Sequence, residues 1–130
     1  MDRISPELIV DMGSRKVTLC GTLAVLKRLQ ISFDCDITQL QDKIIDARFD
    51  RLAEMFKISC VDEDVTQGDF EAWIIDQCGV DEAKYIMIEF WVISVSPEKK
   101  REENRVAVLE RVAKLRQATA FLGENIASFA

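Results

Sequence analysis

Between Pro97 and Gly123 the chain carries about 25 residues with no glycine or proline, opening on the charged run Lys99 to Arg105, KKREENR. Ser96-Pro97-Glu98 supplies helix-start chemistry just before it: a hydroxyl to cap orphan amides, a proline suited to the first helical position and a carboxylate at the positive helix end. The stretch predicts one long C-terminal helix. Its apolar positions, Val106, Leu109, Val112, Ala113 and Ala120, recur at spacings of three and four, with Val108, Leu115 and Phe121 toward a neighbouring face. The tail Glu124 to Ala130 is expected to fray.

The rest of the pattern is also mainly helical. Ser5-Pro6-Glu7 repeats the helix-start triplet and predicts a short helix to about Met12, ended by Gly13. Lys16-Val17-Thr18-Leu19-Cys20 alternates polar and apolar residues, so a short strand or β-hairpin is expected near residues 15–20. Thr22 opens a helix over Leu23 to Leu29. Thr38-x-x-Gln41 has capping-box spacing and leads into a segment predicted as one helix to about Ile58. Ile37, Leu40, Ile44, Arg48, Leu52 and Met55 form its 3.6-residue row.

Thr66 with Asp69 three residues on predicts a further helix start, carrying Phe70, Trp73, Ile74 and Cys78 to a stop at Gly79. Tyr85 to Val95 is apolar on both faces, so periodicity does not separate a buried helix from a strand; its eleven-residue length and charged entrance favour helix. The fold class is therefore mainly α, a compact single domain over residues 1–130 with a long C-terminal helix. At this length roughly two-thirds of the unfolded surface is buried on folding, which supports one core. Trp73, Trp91 and Phe90 are read as core residues.

Composition narrows the chemistry. With no histidine, and with Cys20, Cys35, Cys60 and Cys78 separated by 15, 25 and 18 residues, there is neither a CxxC pair nor a Cys/His zinc site. The N-terminus MDRISPELIV does not read as a secretory signal, and the thiols are read as reduced and cytoplasmic. No apolar run approaches the roughly 20 residues of a membrane span. Residues 1–95 hold 10 Lys/Arg against 18 Asp/Glu, net −8, and residues 96–130 hold 7 against 5, net +2. The body repels phosphate. In the mildly basic last segment, Lys99, Lys100, Arg101 and Arg105 alternate with Glu98, Glu102 and Glu103, which points to local pairing and not to nucleic-acid binding.

Asp62, Asp64 and Thr66 match positions 1, 3 and 5 of a calcium loop. The match ends there: Gln67 stands where glycine is required and Trp73 where a bidentate Glu is required. No nucleophile motif, phosphate loop or dinucleotide fingerprint is present, and no histidine can serve a cysteine as base. No catalytic, cofactor or metal residue is assigned. Function falls instead on helix surfaces, and the C-terminal stripe of Val106, Leu109, Val112 and Phe121 is the candidate partner-binding surface. A small acidic helical regulator or adaptor that binds another protein without catalysis fits these residues as well.

The Lys16-Val17-Thr18-Leu19 segment running into GTLAVLKRLQ, the apolar KYIMIEFWVIS segment and the SPEKKREENRVAVLERVAKLRQA helix together resemble the tail assembly chaperones of long-tailed, siphovirus-type bacteriophages. The resemblance spans most of the chain. It implies a non-enzymatic protein of the bacterial host cytoplasm that binds and solubilises the tape measure protein during tail assembly and is absent from the mature virion. It also implies self-association, and an extended frameshift product that contacts the major tail protein. It implies no cofactor, nucleic acid or membrane partner.

Overall fold

The computed structural model describes the backbone of residues 5–128 and the side chains of residues 5–118. A β-hairpin, β1 (Glu7–Asp11) and β2 (Lys16–Cys20), precedes six helices: α1 (Leu23–Phe33), α2 (Leu40–Ile45), α3 (Phe49–Ser59), α4 (Gln67–Trp73), α5 (Val80–Val95) and α6 (Arg101–Ser128). The fold is mainly helical with a long C-terminal helix, as its periodicity predicts.

The hairpin corrects one expectation. Ser5-Pro6-Glu7 starts a strand and not a helix. Leu8, Val10 and Met12 turn inward while Glu7, Ile9 and Asp11 are exposed, a period of two that buries apolar residues only in an extended chain. The register pairs Glu7 with Cys20 and Asp11 with Lys16. Gly13, at φ 87°, takes the first place of the two-residue turn, and Asp11 Oδ1 accepts its amide at 2.9 Å. At the other end Pro6, which has no amide to donate, offers its carbonyl to Gly21 N at 2.9 Å.

A second correction concerns Thr38 to Ile58, which is broken at Asp46-Ala47-Arg48 into α2 and α3. No glycine or proline marks the break. It is held from outside, since Lys84 Nζ on α5 donates to the Ile45 carbonyl at 2.5 Å and so satisfies an acceptor that the ended helix leaves open. The capping box sits two residues before the expected one: Asp36 accepts from Thr38 N at 3.1 Å and Gln39 Oε1 from Asp36 N at 3.2 Å.

Other signals hold. Thr22 caps α1 through Val25 N, Thr66 and Asp69 form a reciprocal box at α4, and Gly79, at φ 88°, ends the π-turn that extends α4. Tyr85 to Val95 is helical throughout. The core gathers Leu29, Ile44, Leu52, Phe56, Phe70, Met87 and Phe90. Phe56 stacks on Phe70 at 5.4 Å and meets Trp73 edge-on at 5.5 Å. Trp91 is half-buried and donates its Nε1 hydrogen to the Ile37 carbonyl at 2.7 Å, fixing the short turn before α2. Among the described residues no helix is long and apolar enough to cross a membrane.

Candidate protein-binding surface

The helix α6 runs antiparallel to α5 and is tied to it at two levels. Arg105 Nε reaches Glu89 at 3.0 Å, and Arg116 grips Glu82 with two donors while its guanidinium lies 5.8 Å from the Tyr85 ring centre. These partners set a face of α6 that lies beside the expected stripe. Arg101, Arg105, Val108 and Val112 turn toward the body. The stripe divides: Val112 is buried at 3% exposure, Leu109 is half-buried, and Val106, at 47%, lies on the outer side. Phe121 lies outside the described side chains.

Between α2, α5 and α6 opens a groove of about 370 Å³. Its walls are Ile45, Tyr85, Ile88, Val108 and Leu115, over a floor that includes Val112. Asp81, Lys84 and Arg111 stand at its polar rim. Ile45 and Leu115 are 47% and 51% exposed, large apolar side chains left open to water at opposite walls. A mainly apolar cleft between parallel ridges, with few charges at its margin, has the form that receives an amphipathic helix. Of the described residues in the C-terminal stripe, only Val112 belongs to it.

Ile45, Tyr85 and Ile88 do not stand out as site residues by their pattern. Ile45 lies at the edge of a helix expected to continue, and Tyr85 and Ile88 lie in a run apolar on all sides. The signal is that surplus. A helix with apolar residues around its whole circumference has more apolar surface than one neighbour covers.

The calcium-like loop has a different use. Asp62 Oδ2 accepts from Thr18 N at 2.9 Å, Asp64 is held by Arg15 at 2.5 Å, and Asp69 closes the cap with Thr66. The bond from Arg15 holds the Asp64 carboxyl below its usual pKa, and the amide and hydroxyl of Thr66 do the same for Asp69. Asp62 and Asp64 fasten the hairpin to the segment after α3, where Val61 N also donates to the Thr18 carbonyl at 3.0 Å. The Cys78 thiol is pushed up to about 11, first by burial and then by Glu82. Burial also raises Cys35 and Cys60, which places these three away from the low pKa of a nucleophilic thiolate.

No protein-family model, curated protein or solved structure matches the chain.

Proposed function

We propose that this protein acts without catalysis as a tail assembly chaperone of the siphovirus type, in the cytoplasm of the bacterial host. It receives apolar helical segments of the tape measure protein in the groove between α2, α5 and α6, keeps that partner soluble while the tail is built, and is left out of the finished tail. The observation that carries the reading is the groove itself, where Ile45, Tyr85, Ile88, Val108 and Leu115 form one apolar cleft on an otherwise acidic body. The choice of partner comes from the order and character of the segments that resemble the tail assembly chaperones. A net-negative exterior keeps such a complex dispersed, since like-charged particles repel.

The test is co-expression with the tape measure protein of the same phage, comparing the native chain with Ile45→Asp and Val108→Asp. The native chain is expected to bring the partner into the soluble fraction and to co-purify with it, and both variants to lose that capacity while keeping their helical circular dichroism. A partner that stays insoluble beside a folded native chain replaces this reading with that of a small acidic adaptor. Variants that solubilise as well as the native chain would remove the groove from the mechanism.

A further inference from the structure

The hairpin leaves one edge open. Gly21 N donates to the Pro6 carbonyl and Met12 N to the Arg15 carbonyl, both at 2.9 Å, so the even-numbered residues of β1 spend their backbone groups on β2. The N–H and C=O groups of Glu7, Ile9 and Asp11 therefore point away from it. The far edge of β2 is occupied, since Thr18 bonds to Asp62 and Val61, but the sheet ends at β1. Among the described residues no backbone group pairs with that edge.

Exposed edges are commonly blunted by charged side chains, lysine above all, by proline, by a bulge or by a covering element. Glu7 to Asp11 pairs in unbroken register, follows Pro6, shows Ile9 at 67% exposure and carries only acids as its charges, Glu7 and Asp11, which turn away like-charged strands and leave the edge open to basic ones. The strand borders two concavities. One, of about 540 Å³, separates Leu8 and Ile9 from Ile93, Arg101 and Arg105; the other, of about 440 Å³, lies between Asp11 and Ile86. In the first, Arg101 Nε is buried without a hydrogen-bond partner among the described residues.

Charge selects the occupant. Glu7, Ile9 and Asp11 share the outer face, and residues directly across a new ladder share it with them. A second copy of β1 paired antiparallel about Ile9 would set Glu7 against Asp11 twice. Paired in parallel, it would set each acid beside itself, and like charges across a ladder are destabilising. We propose that the free edge of β1 takes an extended segment of another protein as a third strand, one that alternates basic, apolar and basic residues along the face it shares with Glu7, Ile9 and Asp11.

The test is fluorescence anisotropy of labelled peptides with the full chain. The probe holds the core KTVTK, and its controls are ETVTE and two backbone N-methylated forms, one methylated at Val and one at both Thr. Because successive amides of a strand point to opposite sides, methylation of one set removes the bonds to β1 and methylation of the other leaves them. One N-methyl form and ETVTE are expected to bind about tenfold or more weakly than the probe, the scale of one or two lost main-chain bonds or of reversed charge pairing. Ile9→Pro is expected to match that loss while keeping the hairpin, because the amide of Ile9 faces away from β2 and proline is tolerated on an edge. No binding of KTVTK, or binding indifferent to both methylation patterns and to Ile9→Pro, overturns the proposal. Dimerisation of the protein alone that Ile9→Pro abolishes would overturn the choice of occupant.

Discussion

Gly21 is where the end of β2 meets α5, and Gly21→Ala tests how closely the two are fitted. A Cβ there would lie 2.3 Å from Ser94 Oγ, 2.8 Å from Ser94 Cβ and 3.2 Å from Pro6 Cγ. Ser94 is 1% exposed and its hydroxyl donates to the Phe90 carbonyl at 2.7 Å, so it has no easy way to move. Inserting a methyl into a filled interior costs roughly 1–3 kcal/mol, and two contacts this short belong at the upper end. The φ of Gly21 is not positive, so alanine also gains about 0.4–1 kcal/mol by restricting the unfolded chain. The net expectation is a loss of about 2 kcal/mol, read as a lower urea midpoint at unchanged slope by the fluorescence of Trp73 and Trp91. Removing the obstacle should restore part of it. Ser94→Gly alone costs on the order of 0.5 kcal/mol in helix propensity, plus its packing, but with Gly21→Ala the pair should cost at least about 1 kcal/mol less than the two single losses together. Strict additivity, or a neutral Gly21→Ala, refutes the close approach.

Three further outcomes rest on named contacts. Thr66→Ala removes one arm of the reciprocal cap on α4 and should cost about 1 kcal/mol, with faster amide exchange at Asp69 than in the native chain. Val112→Ala should cost about 2 kcal/mol, the loss of two buried carbons plus a cavity, whereas Val106→Ala on the outer side should stay within about 0.5 kcal/mol; equal denaturation midpoints for the two would place α6 in a different rotation. Because burial and Glu82 raise Cys78 to about 11 from 9.0, the native state holds that proton after the unfolded state has released it. Its contribution is therefore whole below pH 9 and lost between about 9 and 11, roughly 1 kcal/mol after discounting for solvent screening, and Cys78→Ala should show a shallower fall in stability between pH 8 and 10.5.

The two Ser-Pro-Glu triplets show how far local sequence can be read. Both carry a hydroxyl, a proline and a carboxylate, yet Ser96-Pro97-Glu98 leads into a helix, with the Ser96 hydroxyl turned back to the Val92 carbonyl at 2.6 Å instead of capping it, and Ser5-Pro6-Glu7 leads into a strand. The difference lies in the residues that each triplet introduces. KKREENR has no apolar residue to bury and extends a helix on propensity, whereas ELIVD buries alternate residues once β2 lies beside it. The break at Asp46-Ala47-Arg48 is hidden for a similar reason. Leu40, Ile44, Leu52 and Met55 are all buried and keep a helical row through the gap, and the contact that ends α2 comes from Lys84, 39 residues away. Caps at Thr22 and Thr66 are legible because their partners lie three residues on.

Tyr85 to Val95, the segment that periodicity leaves undecided, explains why open surfaces flank α5. Ala83, Met87, Phe90 and Ser94 make its core face, buried among α3 and its neighbours, while Tyr85 and Ile88 turn toward α6 and α2, and Ile93 toward the hairpin. A helix apolar all round is stable only when neighbours enclose it. The enclosure is uneven. The charged pairs of Arg105 with Glu89 and Arg116 with Glu82 fasten α6 at separate levels along α5, and the apolar cleft opens along one flank of that contact. On the hairpin side, β1 turns Leu8 and Val10 into the core and, among the described residues, leaves its outer edge unpaired. The excess of apolar surface on α5 thus gives periodicity no answer, supplies the floor and wall of the groove, and sets Ile93 beside the free strand edge.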